Sequence, residues 1–465
     1  MFNPRAAHIF LAVAGGCALL AAGFGASPAR ASALDQALAA GLAQAGFTGR
    51  IQTTLTQRLG RPINARLANI GRMLWFDTLT GLNDDNTCGG CHSPTAGFGD
   101  TQSIAIGIEN NGVVGPDRAG PRNMRRTPVA INTVFYPNLM WNSRFVALSD
   151  DPFDNRAGFL FPPPEALTLS GQPQLLAAQA FIPPTERTEV AGFDFPGDND
   201  AIRAEVLRRL NASANYRALF ARLFPAVRSG APITFDLFAQ AIAEFEFSLT
   251  FADAPLDQFA RGQRGALTDD EKHGALLFFG AAGCVKCHSV AGASREMFSD
   301  FQDHVAGIPQ IAPHVTNNNF DGPGANEDYG RQQVTGSLAD RYQFRTSPLR
   351  NVALQPTFMH NGAFTSLEAA IHYHLDAAGS APGYSPASEH LAADLRGPLG
   401  PMAPVLARLD PLLAAPVRLN DEQFRQLVAF VRYGLLDQRA APGRLRQLVP
   451  RAVPSGRAVL VFEFP

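Results

Sequence analysis

Apolar positions recur at helical spacing in two places along the chain, each time behind a residue that caps a helix. Phe235, Phe238, Ile242 and Phe245 follow Thr234; Phe424, Leu427, Val428 and Val431 follow Asn420, with Gln423 at the reciprocal capping position. Two further apolar segments resemble each other: Gly71-Arg-Met-Leu-Trp-Phe76 and Gly274-Ala-Leu-Leu-Phe-Phe279. The second is opened by Thr268-Asp-Asp-Glu271, a capping box. The pattern predicts a lead helix and a closing helix, stated twice, with the two units joining near Ala254-Pro255. Residues 97–200 and 296–345 are rich in Gly, Pro and Asn and have little periodicity. Long ordered loops of that kind build sites.

The first 31 residues read differently. Arg5 and His8 precede an apolar run from Ile9 to about Ala22, followed by Ser27-Pro-Ala-Arg-Ala31. A basic start, an apolar centre and an Ala-x-Ala end predict an export signal peptide cleaved near Ala31. The run falls short of the roughly 20 residues a spanning helix needs, so no membrane insertion of the mature chain is expected. Cys17 sits inside the run without the larger apolar residue that precedes a lipid-bearing cysteine, so no lipid anchor is expected either. The expected layout is a signal peptide over 1–31, a first domain over 32–257 and a second over 258–465, in the periplasm.

Length alone allows about three domains, and the helix pattern uses two. With 39 basic and 41 acidic side chains the net charge is -2, which removes nucleic acid as a partner. Thirty-four Phe against two Trp supply apolar aromatic mass for more than one core. Cysteine placement decides the class. Beyond Cys17 there are four, in two pairs that each run straight into a histidine: Cys88-Gly-Gly-Cys91-His92 and Cys284-Val-Lys-Cys287-His288. Disulfides or a redox dithiol would use the cysteines but not the histidines. Covalent haem c uses both: two thioethers hold the porphyrin and the adjacent histidine ligates its iron. The sites lie 196 positions apart, one per unit. The expected fold is therefore mainly α, with two cytochrome c-like haem domains and long loops.

Further blocks carry a family resemblance. Cys-Gly-Gly-Cys-His-Ser-Pro-Thr-Ala-Gly-Phe98, Gly120-Pro-Arg-Asn123, Met140-Trp-Asn-Ser-Arg144, Thr188-Glu-Val-Ala-Gly192, Ser347-Pro-Leu-Arg-Asn-Val352 and Phe358-Met-His-Asn-Gly362 stand in this order, with Ser366-Leu-Glu368 after them. Together they resemble the bacterial di-haem cytochrome c peroxidases and the related MauG-type enzymes. The resemblance implies that the first haem is the peroxide site and the second passes electrons in. Family members that rest inactive carry a distal histidine just before the block matching Gly120-Pro-Arg-Asn123. Here Val113–Ala119 holds none, and no histidine lies between His92 and His273. An open His92 haem is expected, the alternatives being a cap by Met124, by Met140 or by a histidine from the second domain.

The resemblance also places Glu189 as the acid/base that assists O–O cleavage, with Glu186 three residues away as the rival. Seven positions after Leu367, where the family carries its second axial ligand (Met in peroxidases, Tyr in the MauG type), this chain has His374. Met359 and Tyr373 remain alternatives, with His372 a surface residue and His360 structural. Trp141 matches an inter-haem relay tryptophan, although a lone Trp is often only core; Trp75 reads as packing. The family's interdomain calcium has its nearest matches in Asn123, Gln355 and Thr357, but Met124-Arg-Arg126 interrupts the block. The expectation is a peroxidase that reduces hydrogen peroxide with electrons from a small donor protein, a cytochrome c or a cupredoxin. MauG-like oxidation of a protein or organic substrate and a non-catalytic di-haem electron carrier are the rivals. The oligomeric state, a dimer included, is left open.

Overall fold

A computed structural model describes residues 32–161, 169, 171–292, 295–317 and 319–465. The predicted signal peptide and Cys17 lie outside the described residues. Helices make up 43% of the structure and strands run for two or three residues, a mostly helical architecture of the cytochrome c-like kind.

The lead helix of the first unit, Ala65–Trp75, starts at Asn64, whose side chain accepts from the amides of Arg66 and Leu67. Leu67, Ile70, Leu74 and Trp75 point inward. Its closing helix, Phe235–Ser248, is capped by Thr234. Glu244 of the closing helix reaches back to the Asn64 amide and to Arg61, tying the two helices at one end. They cross at Gly71, where a Cβ would overlap the carbonyl oxygen of Ala241 and come within 3.0 Å of the Phe245 side chain. Only a residue without a side chain lets the two backbones meet there.

The second unit repeats the device. Thr268 and Glu271 form the expected capping box and open the lead helix Asp269–Phe279. Asn420 and Gln423 do the same for the closing helix Asp421–Ala429, which continues as a wider turn over Phe430–Gly434. Gly274 sits at the crossing, where a Cβ would overlap the carbonyl oxygen of Gln426 and come 2.7 Å from the Phe430 side chain. The resemblance between the two apolar segments is thus the signature of two equivalent helix contacts.

The chain ends cross over. The N-terminal helix Ala33–Gln44 buries Leu38 and Leu42 in the core of the second unit, beside Phe259, Phe278 and Phe298, and Asp35 pairs with Lys272 at 2.9 Å. Residues 440–465 pack instead on the first: Ala440, Leu445 and Val453 enter its core, and Phe462 meets the Phe76 ring at 5.4 Å. Val461 and Phe462 pair in parallel with Val113 and Val114. Each end of the chain thus packs on the core of the other unit. An amphipathic segment announces that it buries one face; it does not announce against which distant core.

A third apolar cluster lies at the seam, built from Leu55, Phe135, Tyr136, Phe145 and Leu175 together with Met297 and Phe301. The long loops supply it, including an antiparallel three-stranded patch, Asn138–Leu139, Phe145–Ala147 and Phe159–Leu160. Beneath it Arg350 and Asp257, both essentially unexposed, pair through two hydrogen bonds of 2.6 and 2.8 Å.

The crossings make a test. Gly71→Ala and Gly274→Ala should each cost about 1–3 kcal/mol by overpacking. Gly41→Ala, in the N-terminal helix with nothing within 4 Å of its Cβ position, should be neutral or stabilise by up to about 1 kcal/mol. Thermal midpoints of the three variants check the contrast.

Candidate active site

The first attachment loop is shaped by what surrounds it. Thr87 caps the short helical turn Cys88–Cys91 by accepting from the Gly90 amide at 3.0 Å. A Cβ at Gly89 would lie 2.6 Å from the Phe76 ring, and one at Gly90 would strike the Asn86 side chain. Two glycines between the cysteines are thus a packing requirement. Asn86 links the loop outward: its amide nitrogen donates to Cys91 Sγ at 3.4 Å and to the Glu189 carbonyl at 2.8 Å, while its oxygen accepts from Arg118. His92 rests 5.7 Å from the Trp75 ring, and burial pulls it down to about 4, so its imidazole is neutral and has a lone pair to give. Its Nδ1 is shielded from solvent. Burial pushes the Cys88 thiol up to about 12 and the Cys91 thiol to about 11, unlike a redox dithiol.

His92, Cys88 and Cys91 line a cavity of about 470 Å³. Among the described residues His92 is the only histidine in its wall; Met124 and Met140 also reach it, the Met124 sulfur accepting from Gln333 at 3.3 Å. Glu189 and Glu186 face the same space from the turn Arg187–Ala191 and the residue before it. That turn is pressed into place by two glycines: a side chain at Gly107 would strike the Thr188 carbonyl, and one at Gly81 would come 2.8 Å from that of Val190. Glu186 pairs with Arg144 at 2.7 Å. Burial, then the neighbouring Glu186 charge, raise Glu189 well above the carboxylate range, with Arg144 opposing. At neutral pH Glu189 is therefore an acid with a proton to give.

A second acid lines this cavity. Glu246, 5% exposed, is pushed up to about 8 by burial alone, and its Oε2 has no partner. The signal for it lies in the helical pattern. Phe238, Ile242 and Glu246 stand four apart on one apolar stripe, where an acid is out of place.

In the second unit the turn Cys284–Lys286 carries the attachment site. His288 Nδ1 lies 2.9 Å from the Phe298 carbonyl, so it donates there and Nε2 carries the lone pair that could ligate a metal. The ring centroids of His288 and His374 are 6.4 Å apart, at 61°. Two imidazoles adopt about that spacing when each sets a nitrogen roughly 2 Å from a metal between them. Burial, then the His288 charge, hold His374 down at about 4, and its Nδ1 has no protein partner. Tyr373 turns the other way: its hydroxyl donates to the Gly307 carbonyl at 2.6 Å and its ring packs on Phe364 and Tyr384. His372 is exposed. Met359 adopts a left-handed backbone at φ 70° and packs against the second core. His360 is buried, stacked on Phe344 at 3.7 Å and 3.8 Å from Asp328.

Trp141 closes the seam end of the cavity, 5% exposed. Its indole N–H donates to the Arg126 carbonyl at 2.6 Å, its own carbonyl accepts from the Arg345 amide at 2.7 Å, and the Arg126 guanidinium lies 5.1 Å over its ring. Trp75 is core packing against His92, Phe98 and Phe245.

Both attachment sites fit haem c: paired thiols beside an imidazole that burial holds toward its neutral form. The calcium set does not fit. Such an ion needs about six to eight oxygens at roughly 2.3–2.6 Å. Here Gln355 Oε1 accepts from Arg126 at 2.8 Å, Thr357 donates to the Gln102 carbonyl and Asn123 Oδ1 accepts from Asn317.

Residues 65–265 match the family model described as di-haem cytochrome c peroxidase. The methylamine utilization protein MauG of Methylorubrum extorquens is 28% identical over 326 residues, covering 70% of this chain and 72% of its own. The cytochrome c551 peroxidase of Pseudomonas aeruginosa is 26% identical over 315 residues, 67% of this chain and 72% of that one. In fold, the diheme peroxidase BthA of Burkholderia thailandensis superposes with a TM-score of 0.57 at 21% identity, over 86% of this chain and 91% of its own. Among the described residues no helix is long and apolar enough to cross a membrane. The family match opens in the helix that leads into Cys88: over residues 65–265 this chain is similar to the di-haem cytochrome c peroxidases, a likeness that implies two c-type haems, and it is an oxidoreductase of that kind.

Proposed function

We propose that this protein is a periplasmic peroxidase that reduces hydrogen peroxide to water with electrons from a small donor protein, a cytochrome c or a cupredoxin. The observation that carries the reading is the first cavity, whose wall holds a neutral His92 and a half-buried, protonated Glu189 and no second histidine among the described residues. When bound, haem would supply iron for peroxide binding and for electron transfer; Cys88, Cys91 and His92 would hold the first group, and Cys284, Cys287, His288 and His374 the second. The protein's own part is proton handling and positioning. Glu189 holds the proton that the departing peroxide oxygen requires, and Arg144 eases the negative charge left behind. Trp141 holds an aromatic ring at the seam, in the same cavity wall as Ser347 and Pro348 of the second unit. Electrons would enter on the His288 side and pass by Trp141.

The MauG relative supports a second reading, peroxide-driven oxidation of a protein or organic substrate, and the open first site suits it equally. Steady peroxide-dependent oxidation of a reduced cytochrome c or cupredoxin favours the first reading; peroxide consumed only when a third substrate is present favours the second. A non-catalytic carrier would need Met124 or Met140 to cap His92's iron, and it leaves the protonated acid without a task.

Glu189→Gln should lower kcat for peroxide by about 10²–10⁴-fold. An acid must be protonated to donate, so wild-type turnover should fall as pH rises through the raised Glu189 value; the variant should lose that alkaline limb. A variant with wild-type turnover and pH profile would remove Glu189 from the chemistry. His374→Met should raise the reduction potential of the second haem, because His/Met ligation sits above bis-His, whereas Met359→Leu should leave it unchanged. Spectroelectrochemical titration reads both; the reverse pattern would make Met359 the ligand.

A further inference from the structure

Arg126 is the last of three residues, Met124-Arg125-Arg126, that stand between Asn123 and Thr127-Pro128. It is 4% exposed, deep in the seam between the two units. Guanidinium stays charged when buried, so this position carries a fixed cation. Its Nη1 donates to Gln355 Oε1 at 2.8 Å and its Nε to the Met359 carbonyl at 3.1 Å, both in the second unit. Gln355 is oriented for this contact, since its Nε2 donates to the Ala96 carbonyl at 2.7 Å in the first attachment loop region. The Arg126 main chain is engaged as well: its amide donates to the His360 carbonyl at 2.8 Å and its carbonyl accepts the Trp141 indole N–H. Asp100, buried beside the Thr127 and Gln102 amides that it accepts from, supplies the countercharge.

One residue therefore gathers the first attachment loop, Trp141 and the 355–360 segment around a single positive charge. A divalent cation between two domains does the same with oxygen ligands, and two of the seam's oxygens, on Gln355 and Met359, are already spent on the guanidinium. Bringing a second cation into their reach would set like charges together in a dry interior.

We propose that Arg126 is a built-in substitute for an interdomain calcium ion: its guanidinium occupies the seam's oxygen donors and seats Trp141, so the protein needs no divalent cation. Arg126 is on this account a positioning residue for Trp141, and the claim stands or falls independently of the substrate.

The test uses the di-haem holoprotein. After gel filtration in calcium-containing buffer, elemental analysis should find no stoichiometric calcium in the wild type, and its thermal midpoint should be the same in excess calcium chloride and in excess chelator. Arg126→Gln removes the charge and offers an amide oxygen; it should bind one calcium per chain and melt higher with calcium than with chelator. Arg126→Lys keeps the charge and should remain insensitive. One calcium per chain in the wild type, or a wild type that loses stability on chelation, would overturn the proposal even if neither variant folds. An Arg126→Gln protein that folds yet ignores calcium would overturn it too, by showing that the guanidinium is not what fills the site.

Discussion

Two backbone-on-backbone helix crossings organise this molecule. At Gly71 and at Gly274 the lead helix of each unit lies directly against a carbonyl of its closing helix. Everything nearby inherits that closeness. The lead helix delivers Trp75 and Phe76 in the first unit, and Phe278 and Phe279 in the second, to the roof of the attachment loop that follows. The closing helix delivers Phe245 and Phe430 one turn beyond the crossing, where they pack on the same rings. A side chain at either glycine would separate the helices and pull both walls of the attachment loop apart.

On that frame the chemistry is set mainly by desolvation. Burial favours the neutral forms of His92 and His374, which suit a metal ligand, and of Glu189 and Glu246, which suit a proton donor. The same burial is resisted where charge is wanted. Arg350 stays ionised through a two-bond pair with Asp257, and Arg126 through carbonyl oxygens and Asp100. A low-dielectric interior thus sorts groups into neutral ones facing the cavities and paired ones stitching the seam.

What could be read from the chain follows from how local each feature is. The Cys-x-x-Cys-His pairs, the capping boxes and the helical stripes are written in contiguous residues, and the mostly helical fold with two attachment units is legible from them. His374 is reached by counting from Leu367, and Tyr373, its neighbour in the helix, points into the core because adjacent helical residues face about 100° apart. The crossed termini are not legible, since Leu38 and Phe462 each choose a partner hundreds of positions away. Arg126 and Glu246 escape notice for a related reason. A basic residue in a loop and an acid on an apolar stripe look like surface and error until the seam and the cavity close around them. The calcium candidates fail on the same ground: their residue types match, but Gln355's oxygen is already turned to a cation the chain supplies.

The central claim is an asymmetry, one site with a single histidine and one with two facing each other. Electron paramagnetic resonance of the fully ferric holoprotein tests it most directly. The account predicts one high-spin and one low-spin haem, with the high-spin signal alone displaced by cyanide. Two low-spin signals would contradict it, because they would mean that the His92 site already holds a sixth ligand from the protein.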